Sequence, residues 1–431
     1  MTLPLSGITV LDLTRLLPAP MATRHLVDMG ASVIKIQSPD PAQADYAKTM
    51  GQPSDMDGDA SHFYRHCNAG KADLTLDLKN PVDRAQLLDL CKTADVVIES
   101  FRPGVIAKLG LDFATIQATN PAISLISISG YGQHGAWSGA AGHDINYMAL
   151  SGMLHEFINA DATQITLPNV QFGDLLGGAM TAAFATVSAV LHSKMHGKGL
   201  WMDVSMTASL LAHNVMPLFA TQARGEPSPA GSDLLNGGVA CYRAYRTADG
   251  RFLAVGALEL KFWQVFCGAV NRPMWARQHW SLGGGIGNDE ATALIHEVKA
   301  LISSQTLKHW LDLVEGKDCC VTPVLSMDEA LLHRVNVDFG TVGYVKAANG
   351  RDIPSVSLAL NIHLSAVTLH EGYASRKLAL GYEIMFDPGA HAPQTVTVAI
   401  TDKEFETIQS DITCFDSIIV SAMSKAGVVI R

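Results

Sequence analysis

Short apolar runs alternate with segments of helical apolar spacing over roughly the first 130 residues, and this alternation constrains the fold most. The run GITVLDLT predicts a strand, MATRHLVDMG predicts a helix that stops at a glycine, and SVIKIQSP predicts a strand that ends at Pro39. KADLTLDLKN, DVVIESF and AISLISISGYG are three further strand-like runs, and PVDRAQLLDLCKTA opens a helix with a proline. This β-α-β order predicts a Rossmann-like open parallel sheet of the α/β class.

The chain has 431 residues, which is too long for one ordinary hydrophobic core and predicts two domains. Glycine, proline and serine concentrate at 222–238, a composition typical of an interdomain linker. The following run YRAYRTADGRFLAVGAL predicts a β-hairpin, and helical segments come after it. We therefore predict a large domain over 1–222, a small α+β domain over 223–335 and a C-terminal segment, 336–431, that completes the large domain.

Several function classes are disfavoured by composition. The phosphate-binding pattern G-x-G-x-x-G is missing after the first strand, where TRLLPAPMAT stands instead, so a standard dinucleotide site is not expected. The net charge of −10 argues against nucleic acid as a partner. Neither a secretory signal nor an uninterrupted apolar run of about 18 residues is seen, so no membrane partner is expected. Seven irregularly spaced cysteines without metal-ligand spacing predict free thiols in the cytoplasm and no bound metal.

Three ionisable side chains stand near the ends of predicted elements, where an open α/β sheet binds its ligands. His143 lies in GHDINY, Asp174 lies in FGDLLGGAM near the start of a helix rich in alanine and glycine, and Glu259 ends a hairpin strand in AVGALEL. A lone histidine is more often a surface residue, and an aspartate at a helix start is a favoured cap. The structural alternative is weaker for Glu259, because a carboxylate in apolar surroundings needs a partner.

The neighbours of these three residues have mostly structural interpretations. We expect Asp144 to accept backbone N–H bonds, and Tyr131 and Tyr147 to pack or to form the wall of a ligand site. Three cations flank predicted strand ends and are candidates for an anionic ligand, although a solvated surface position is the alternative for each of them: Lys71, Lys79 and Arg102.

Seven motifs occur in an order and spacing that resemble those of the family III CoA-transferase superfamily, which also contains carnitine–CoA enzymes and α-methylacyl-CoA racemases. The similarity extends over about residues 5–330, and GHDINY together with the glutamate of VGALE resembles the racemase branch in particular. The motifs are LDLTRLLPAPMATRHLVDMGASVIKI, NAGKADLTLDLKNP, VVIESFRPGVIAKLGL, SGYGQHG, GHDINY, FGDLLGGAM and AVGALE.

This resemblance implies roles for individual residues. His143 and Asp174 correspond to the two acid/base residues of the racemases, and Glu259 corresponds to the carboxylate that partners the histidine. It also implies a large domain built from both chain ends, an interlocked homodimer and no cofactor other than the CoA of the substrate. Matching motifs and the candidates above together predict acyl-CoA contacts for Leu76, Asp77, Leu78, Lys79, Arg102, Gly142, Asp144, Tyr147, Lys71 and Tyr131.

The sequence departs from the family pattern in two places. Ser38 stands where the animal racemase carries an arginine, and the similarity becomes loose beyond residue 340. Both departures leave the acyl group of the substrate open.

The residues themselves support more than one activity. Epimerisation beside a thioester carbonyl needs one base on each face of the carbon, and a histidine with an aspartate supplies such a pair, with backbone N–H groups near Asp174 as donors to the enolate. Such a racemase would act in branched-chain or sterol side-chain breakdown. The first alternative is a CoA-transferase in which Asp174 is the nucleophile. The second is a non-catalytic acyl-CoA-binding protein.

Overall fold

The computed structural model describes residues 3–159, 163–358 and 360. It divides into two compact units. The first contains the chain up to Tyr147, Gln171–Leu210 and the described residues from Val337 onward, and the second contains Met148–Val170 and Leu211–Asn336. The predicted boundary at residue 222 therefore falls inside the second unit. A helix, Val215–Arg224, leads directly into the glycine- and proline-rich stretch, which forms turns within that unit.

The strands of both units are short, and those of the first unit alternate with helices. In chain order they are β1 (Thr9–Leu13), β2 (Ser32–Gln37), β3 (Met56–Asp57), β4 (Ala60–Ser61), β5 (Ala72–Thr75), β6 (Val96–Glu99), β7 (Ser124–Ser129), β8 (Trp201–Ser205), β9 (Tyr242–Arg246), β10 (Phe252–Gly256), β11 (Val321–Pro323), β12 (Val342–Lys346) and β13 (Asp352–Val356).

The helices begin mostly at prolines or at polar caps. In chain order they are α1 (Pro18–Asp28), α2 (His62–Asn68), α3 (Pro81–Cys91), α4 (Val105–Lys108), α5 (Phe113–Thr119), α6 (Asp144–Leu150), α7 (Thr181–His196, preceded directly by a π-helical segment, Gly173–Met180), α8 (Met206–His213), α9 (Val215–Arg224), α10 (Leu260–Ala269), α11 (Asp289–Ile302), α12 (Leu307–Val314), α13 (Met327–Leu332) and α14 (Arg334–Val337).

A six-stranded parallel sheet organises the first unit, in the order β5-β2-β1-β6-β7-β8. The two strands β6 and β7 are buried along their whole length, as expected where helices cover both faces of a parallel sheet. The strand order reverses between β1 and β6, so the carboxyl ends of these two strands form the switch point at which such sheets bind ligands. The predicted open parallel sheet is confirmed.

The helical stretch Gly173–His196 packs closely against its neighbours because its first turns carry glycines. A Cβ atom on Gly177 would lie 2.6 Å from the carbonyl oxygen of Met206, and one on Gly178 would lie 2.7 Å from Cβ of Pro18. This stretch is long and apolar enough to cross a membrane, and half of its most apolar window is buried inside the protein. A buried core helix has the same length and composition, and the close contacts of Gly177 and Gly178 fit that explanation.

An antiparallel sheet in the order β11-β10-β9 organises the second unit. Trp263 and Phe266 of α10 and Tyr245 of β9 are almost fully buried in its core, and Trp310 of α12 joins them. The predicted hairpin and the α+β character of this region are both confirmed.

The described part of the predicted C-terminal segment begins to return to the first unit. Strands β12 and β13 form an antiparallel hairpin. The N–H of Ala348 donates to the carboxylate of Asp57, and the N–H of Leu358 donates to Asp28 at 2.9 Å. Apart from Leu360, the predicted continuation to residue 431 lies outside the described residues, so completion of the large domain by this segment stays a prediction.

Candidate active site

The switch point lies between the loops that follow β1 and β6. Arg102 stands in the second loop, three residues past the end of β6, and is exposed. The two loops are joined by a hydrogen bond in which the N–H of Arg15 donates to the hydroxyl of Ser100 at 3.4 Å. A cationic side chain therefore faces solvent at the position where an open sheet binds its ligand.

The predicted segment from Leu76 to Lys79 follows β5 at the same edge of the sheet. The side chain of Leu76 is buried in the core, whereas Lys79 is exposed. Asp77 shapes a turn, because its carboxylate accepts the N–H of Lys79 at 3.0 Å and its own N–H donates to Asp83 at 2.7 Å. In this segment, Lys79 is the charged side chain available to an anion, and Leu76 can offer only backbone groups.

Lys71 has a different environment from the other two cations. Its ammonium donates to Asp12 at 3.0 Å, to the carbonyl of Pro20 at 2.9 Å and to Asn68 at 2.9 Å, so all three of its hydrogens are used inside the protein. Burial lowers the pKa of Lys71 to about 8, against the opposing effect of Asp12. This geometry gives Lys71 a structural role, and its predicted contact with CoA stays a prediction.

Two tyrosines hold the glycine-rich loop against the start of α6. The hydroxyl of Tyr147 donates to the carbonyl of Gly142 at 2.6 Å, and its ring meets that of Tyr131 edge-on with centroids 5.4 Å apart. A Cβ atom on Gly142 would lie 2.5 Å from the hydroxyl of Tyr131, and one on Gly130 would lie 2.4 Å from the ring of Tyr147. The packing role expected for these tyrosines is confirmed, and the loop needs glycine where it touches them.

His143 directly precedes α6, and its side chain is exposed. Its backbone is fixed on both sides: the N–H donates to the side-chain oxygen of Asn146 at 3.0 Å, and the carbonyl accepts the N–H of Asn146 at 2.8 Å. The imidazole therefore projects from a rigid backbone position toward solvent, where a substrate can reach it.

Asp144 ties the His143 segment to the helix that carries Asp174. Its carboxylate accepts the N–H of Asp174 at 3.1 Å and also that of Gly173. A Cβ atom on Gly173 would lie 2.9 Å from that carboxylate, so only glycine fits there. The predicted structural role of Asp144 is confirmed.

The same contacts correct one expectation about the enolate. Backbone N–H groups at this helix start were expected to be donors for a developing negative charge. The N–H of Asp174 is instead bonded to Asp144, and that of Leu175 donates to the carbonyl of Gln171 at 2.8 Å. These donors are already satisfied within the protein, so an enolate oxygen must be stabilised by other groups.

Asp174 is the second residue of the π-helical segment and is partly buried. The N-cap position of this helix is Phe172 and not Asp174, so the simple capping explanation for Asp174 does not hold. Burial, and then the negative charge of Asp144, raise the pKa of Asp174 to about 7. This carboxyl group can therefore gain or lose a proton near neutral pH, which is the property required of a general acid or base.

Glu259 lies in the second unit, immediately before α10. Its side chain is exposed, and its carbonyl accepts the N–H groups of Phe262 and Trp263, each at 3.1 Å. The sequence argument that its carboxylate needs a buried partner is therefore wrong, because the residue faces solvent. Its pairing with His143 stays a prediction.

Glu99 was not among the site residues predicted from the sequence. It ends β6 at the switch point and is 1% exposed. Burial raises its pKa to about 7, and Asp203 adds to this rise, while bonds from Ser127 and from the N–H of Phe101 oppose it. An acid that directly follows the apolar run VVI, at the end of a predicted buried strand, is the signal that could have identified it. Within 3–159, 163–358 and 360, no three His, Cys, Asp or Glu side chains are grouped as metal ligands.

The chain has relatives among known proteins. The sequence is 35% identical over 338 residues to a CaiB/baiF CoA-transferase family protein of Caenorhabditis elegans, with 78% of this chain and 89% of that protein covered. It is 33% identical to the alpha-methylacyl-CoA racemase of Homo sapiens (78% and 82% covered) and 30% identical to the acetyl-CoA:oxalate CoA-transferase of Acetobacter aceti (76% and 82% covered).

The fold has solved counterparts. A CAIB/BAIF family protein from Brucella suis superimposes with a TM-score of 0.70 at 22% identity, covering 85% of this chain and 93% of that one. The family model described as CoA-transferase family III matches residues 5–372. The chain therefore belongs to CoA-transferase family III.

Proposed function

We propose that this protein interconverts the two C2 epimers of 2-methylacyl-CoA thioesters. One base removes the α-proton, and a second, protonated base returns a proton to the opposite face of C2. One observation carries the proposal: Asp174, with a pKa near 7, is hydrogen-bonded through its N–H to Asp144, the residue directly after His143. A carboxyl group that exchanges protons at neutral pH and an exposed imidazole thus project from two segments joined by a hydrogen bond. The alpha-methylacyl-CoA racemases among the relatives, at 33% and 31% identity, support the same chemistry.

The reaction follows from these two groups. One of them removes the C2 proton, and the electron pair of the C–H bond moves into the enolate of the thioester. The other, initially protonated, returns a proton to C2 from the opposite face, which inverts the configuration. His143 serves one face and Asp174 serves the other, and a positioned general base of this kind contributes about 10²–10⁴-fold to the rate.

Supporting residues complete the proposal. Arg102 and Lys79 attract the phosphates of CoA at the carboxyl edge of the parallel sheet. The chemistry requires no metal and no cofactor besides the CoA of the substrate. We extend the proposal to a cytoplasmic enzyme of branched-chain lipid breakdown.

A CoA-transferase is the second candidate, because relatives named as transferases, such as the acetyl-CoA:oxalate enzyme, share about 30% identity with the chain. In that mechanism the carboxylate of Asp174 attacks the thioester carbonyl to form a mixed anhydride and releases CoA thiolate. The raised pKa of Asp174 suits proton transfer at neutral pH, whereas in the transferase mechanism only the ionised fraction of this carboxyl group can attack.

One experiment separates the two activities. Each epimer of a 2-methylacyl-CoA is incubated with the protein in deuterated water, and α-deuterium incorporation is followed by mass spectrometry. A racemase incorporates deuterium from both epimers without any acceptor acid. Hydroxylamine trapping with a donor–acceptor panel is run in parallel, and an adduct on Asp174 without deuterium exchange would establish the transferase instead.

We also propose that the protein is a homodimer that buries one face of α7 and of the π-helical segment before it. Met180, Phe184, Val187, Leu191 and Met195 follow helical spacing and are all exposed, with Phe184 at 76%. A contiguous apolar stripe of this kind marks a protein interface. Light scattering after size exclusion tests the proposal: Phe184→Glu with Leu191→Glu should give a monomer, whereas Lys198→Glu beyond the stripe should leave a dimer. A monomeric wild-type protein would contradict it.

A further inference from the structure

Glu99 is a buried acid that takes no part in the proposed proton transfer. It is the last residue of β6, at the switch point of the parallel sheet, and it is 1% exposed. A carboxyl group removed from water at this depth is costly unless donors satisfy it. Its contacts therefore indicate what it holds in place.

Two donors meet the carboxylate of Glu99. The N–H of Phe101 donates to it at 2.7 Å, and the hydroxyl of Ser127, its register partner on β7, donates as well. The hydroxyl oxygen of Ser127 itself accepts the indole N–H of Trp201 on β8 at 3.0 Å. A chain of hydrogen bonds thus runs across β8, β7 and β6 and ends on the backbone of the loop after β6.

That loop carries Arg102. Phe101, which Glu99 holds, directly precedes the arginine, and the carbonyl of Arg102 accepts the N–H of Val105 at 3.0 Å where α4 begins. On the other side, Ser100 accepts the N–H of Arg15 from the loop after β1. The backbone around Arg102 is therefore fixed at both ends, and the bond from Phe101 to Glu99 is the one that reaches into the sheet.

We propose that Glu99 is a positioning residue that fixes the Arg102 turn for the phosphates of CoA. The inference rests on the proposed role of Arg102 and extends it to a residue that never touches the ligand. The raised pKa of Glu99, to about 7, has burial as its main cause, and Asp203 on β8 is the charged group that adds to it. The bonds from Ser127 and Phe101 oppose this rise, which is the expected effect of donors that hold a carboxylate.

The test measures the Kd of free coenzyme A by titration calorimetry on the full chain. Glu99→Leu removes the acceptor of two buried hydrogen bonds and should raise the Kd about tenfold. Glu99→Gln keeps a side-chain oxygen for the N–H of Phe101 and should restore most of that loss. Arg102→Ala should weaken binding by a similar factor, and adding Glu99→Leu to it should change the Kd less than about twofold, because the two residues act through one contact.

A matched pair of serines on β7 provides the control. Ser127→Ala removes one donor to Glu99 and should raise the Kd by a few fold. Ser124→Ala, at the other end of the same strand, removes a bond from the N–H of Leu200 and should leave the Kd unchanged. If Glu99→Leu does not fold, this pair decides the question alone.

Two results would overturn the proposal. One is an undiminished effect of Glu99→Leu in the Arg102→Ala background, and the other is a Ser127→Ala protein that binds like Ser124→Ala. A wild-type protein that does not bind coenzyme A would instead overturn the proposed function.

Discussion

Two carboxylates in the first unit are withdrawn from water, and their neighbours give them opposite properties. Asp12 on β1 is fully buried and meets the ammonium of Lys71 at 3.0 Å, with Lys35 close by. Asp174 is partly buried at a helix start and meets a second carboxylate, that of Asp144. Burial alone raises the pKa of both, but Lys71 and Lys35, together with the hydroxyl bonds from Thr14 and Thr23, lower that of Asp12 to about 2. Asp144 instead raises the pKa of Asp174 further, to about 7.

The comparison shows that the charges of neighbouring groups, and not burial, determine whether a withdrawn carboxyl group stays ionised or can exchange protons near neutral pH. Asp12 stays ionised at every physiological pH and serves as an anchor for Lys71, Thr14 and Thr23. Asp174 is left close to half protonated at neutral pH, which costs stability and is useful only for proton transfer or a related reaction. Such a cost is typical of functional sites.

The largest effect should come from Asp174→Asn, which keeps the shape of the side chain and removes its acid/base function. We expect epimerisation to fall by at least about 10²-fold, the usual loss for a general base. Epimerisation rates are measured with both epimers, and circular dichroism confirms that the variant is folded. The surface variant Asp289→Asn is the control, and equal rates for the two variants would remove Asp174 from the mechanism.

Lys71→Met tests the buried ion pair between Lys71 and Asp12. It leaves Asp12 as an unpaired buried charge, so the free energy of unfolding should fall by about 3–5 kcal/mol. Urea denaturation measures it. Adding Asp12→Asn to Lys71→Met should recover part of the loss, because the uncompensated charge is then gone. A double variant as unstable as Lys71→Met would mean that packing around Lys71, and not the ion pair, stabilises the end of β1.

Local patterns were sufficient to predict most of the fold. The apolar runs GITVLDLT, SVIKIQSP and DVVIESF became β1, β2 and β6 because a buried parallel strand needs apolar residues on both faces. The stretch 222–238, predicted as an interdomain linker, lies inside the second unit, since glycine and proline mark turns wherever they occur.

The candidate site was harder to predict because its properties depend on residues far apart in sequence. It could be predicted that Asp144 accepts backbone N–H groups, but not that these belong to Gly173 and Asp174, which lie on a different helix. The three acceptors around Lys71 come from separate segments, at Asp12, Pro20 and Asn68, and no local pattern brings them together. The exposure of Glu259 was missed for a related reason: apolar neighbours in sequence do not determine whether a residue in the turn between a strand and a helix faces water.

His143→Ala sharpens the comparison by asking whether Asp174 works with a second base. In the racemase mechanism, α-hydrogen exchange should fall about 10²-fold for the epimer whose proton His143 removes. Slower exchange should persist for the other epimer, because Asp174 still removes its proton. Deuterium incorporation from each pure epimer measures this, and wild-type exchange of both would exclude the two-base mechanism. The double variant with Asp174→Ala should be little worse than either single variant, since the two residues act as a unit.

The smallest effect, and the most direct comparison of the two acids, is the pH dependence of stability. The pKa of Asp174 is raised on folding from 3.8 to about 7, so the native state binds more protons than the unfolded state between these values. The free energy of unfolding contributed by this group therefore falls as pH rises from about 4 to 7. Asp12 behaves in the opposite way, because its pKa drops on folding from 3.8 to about 2, and its contribution is present above pH 4 and lost as pH falls towards 2.

Thermal unfolding of two asparagine variants should therefore give opposite signs. Asp174→Asn should match the wild type near pH 4 and exceed it by about 1–3 kcal/mol at pH 8, because the amide carries no charge to desolvate. Asp12→Asn should be less stable than the wild type at pH 8, and the deficit should shrink as the pH approaches 2. Two variants with the same sign at pH 8 would mean that the charge of the neighbours does not set the stability contributions of these two acids.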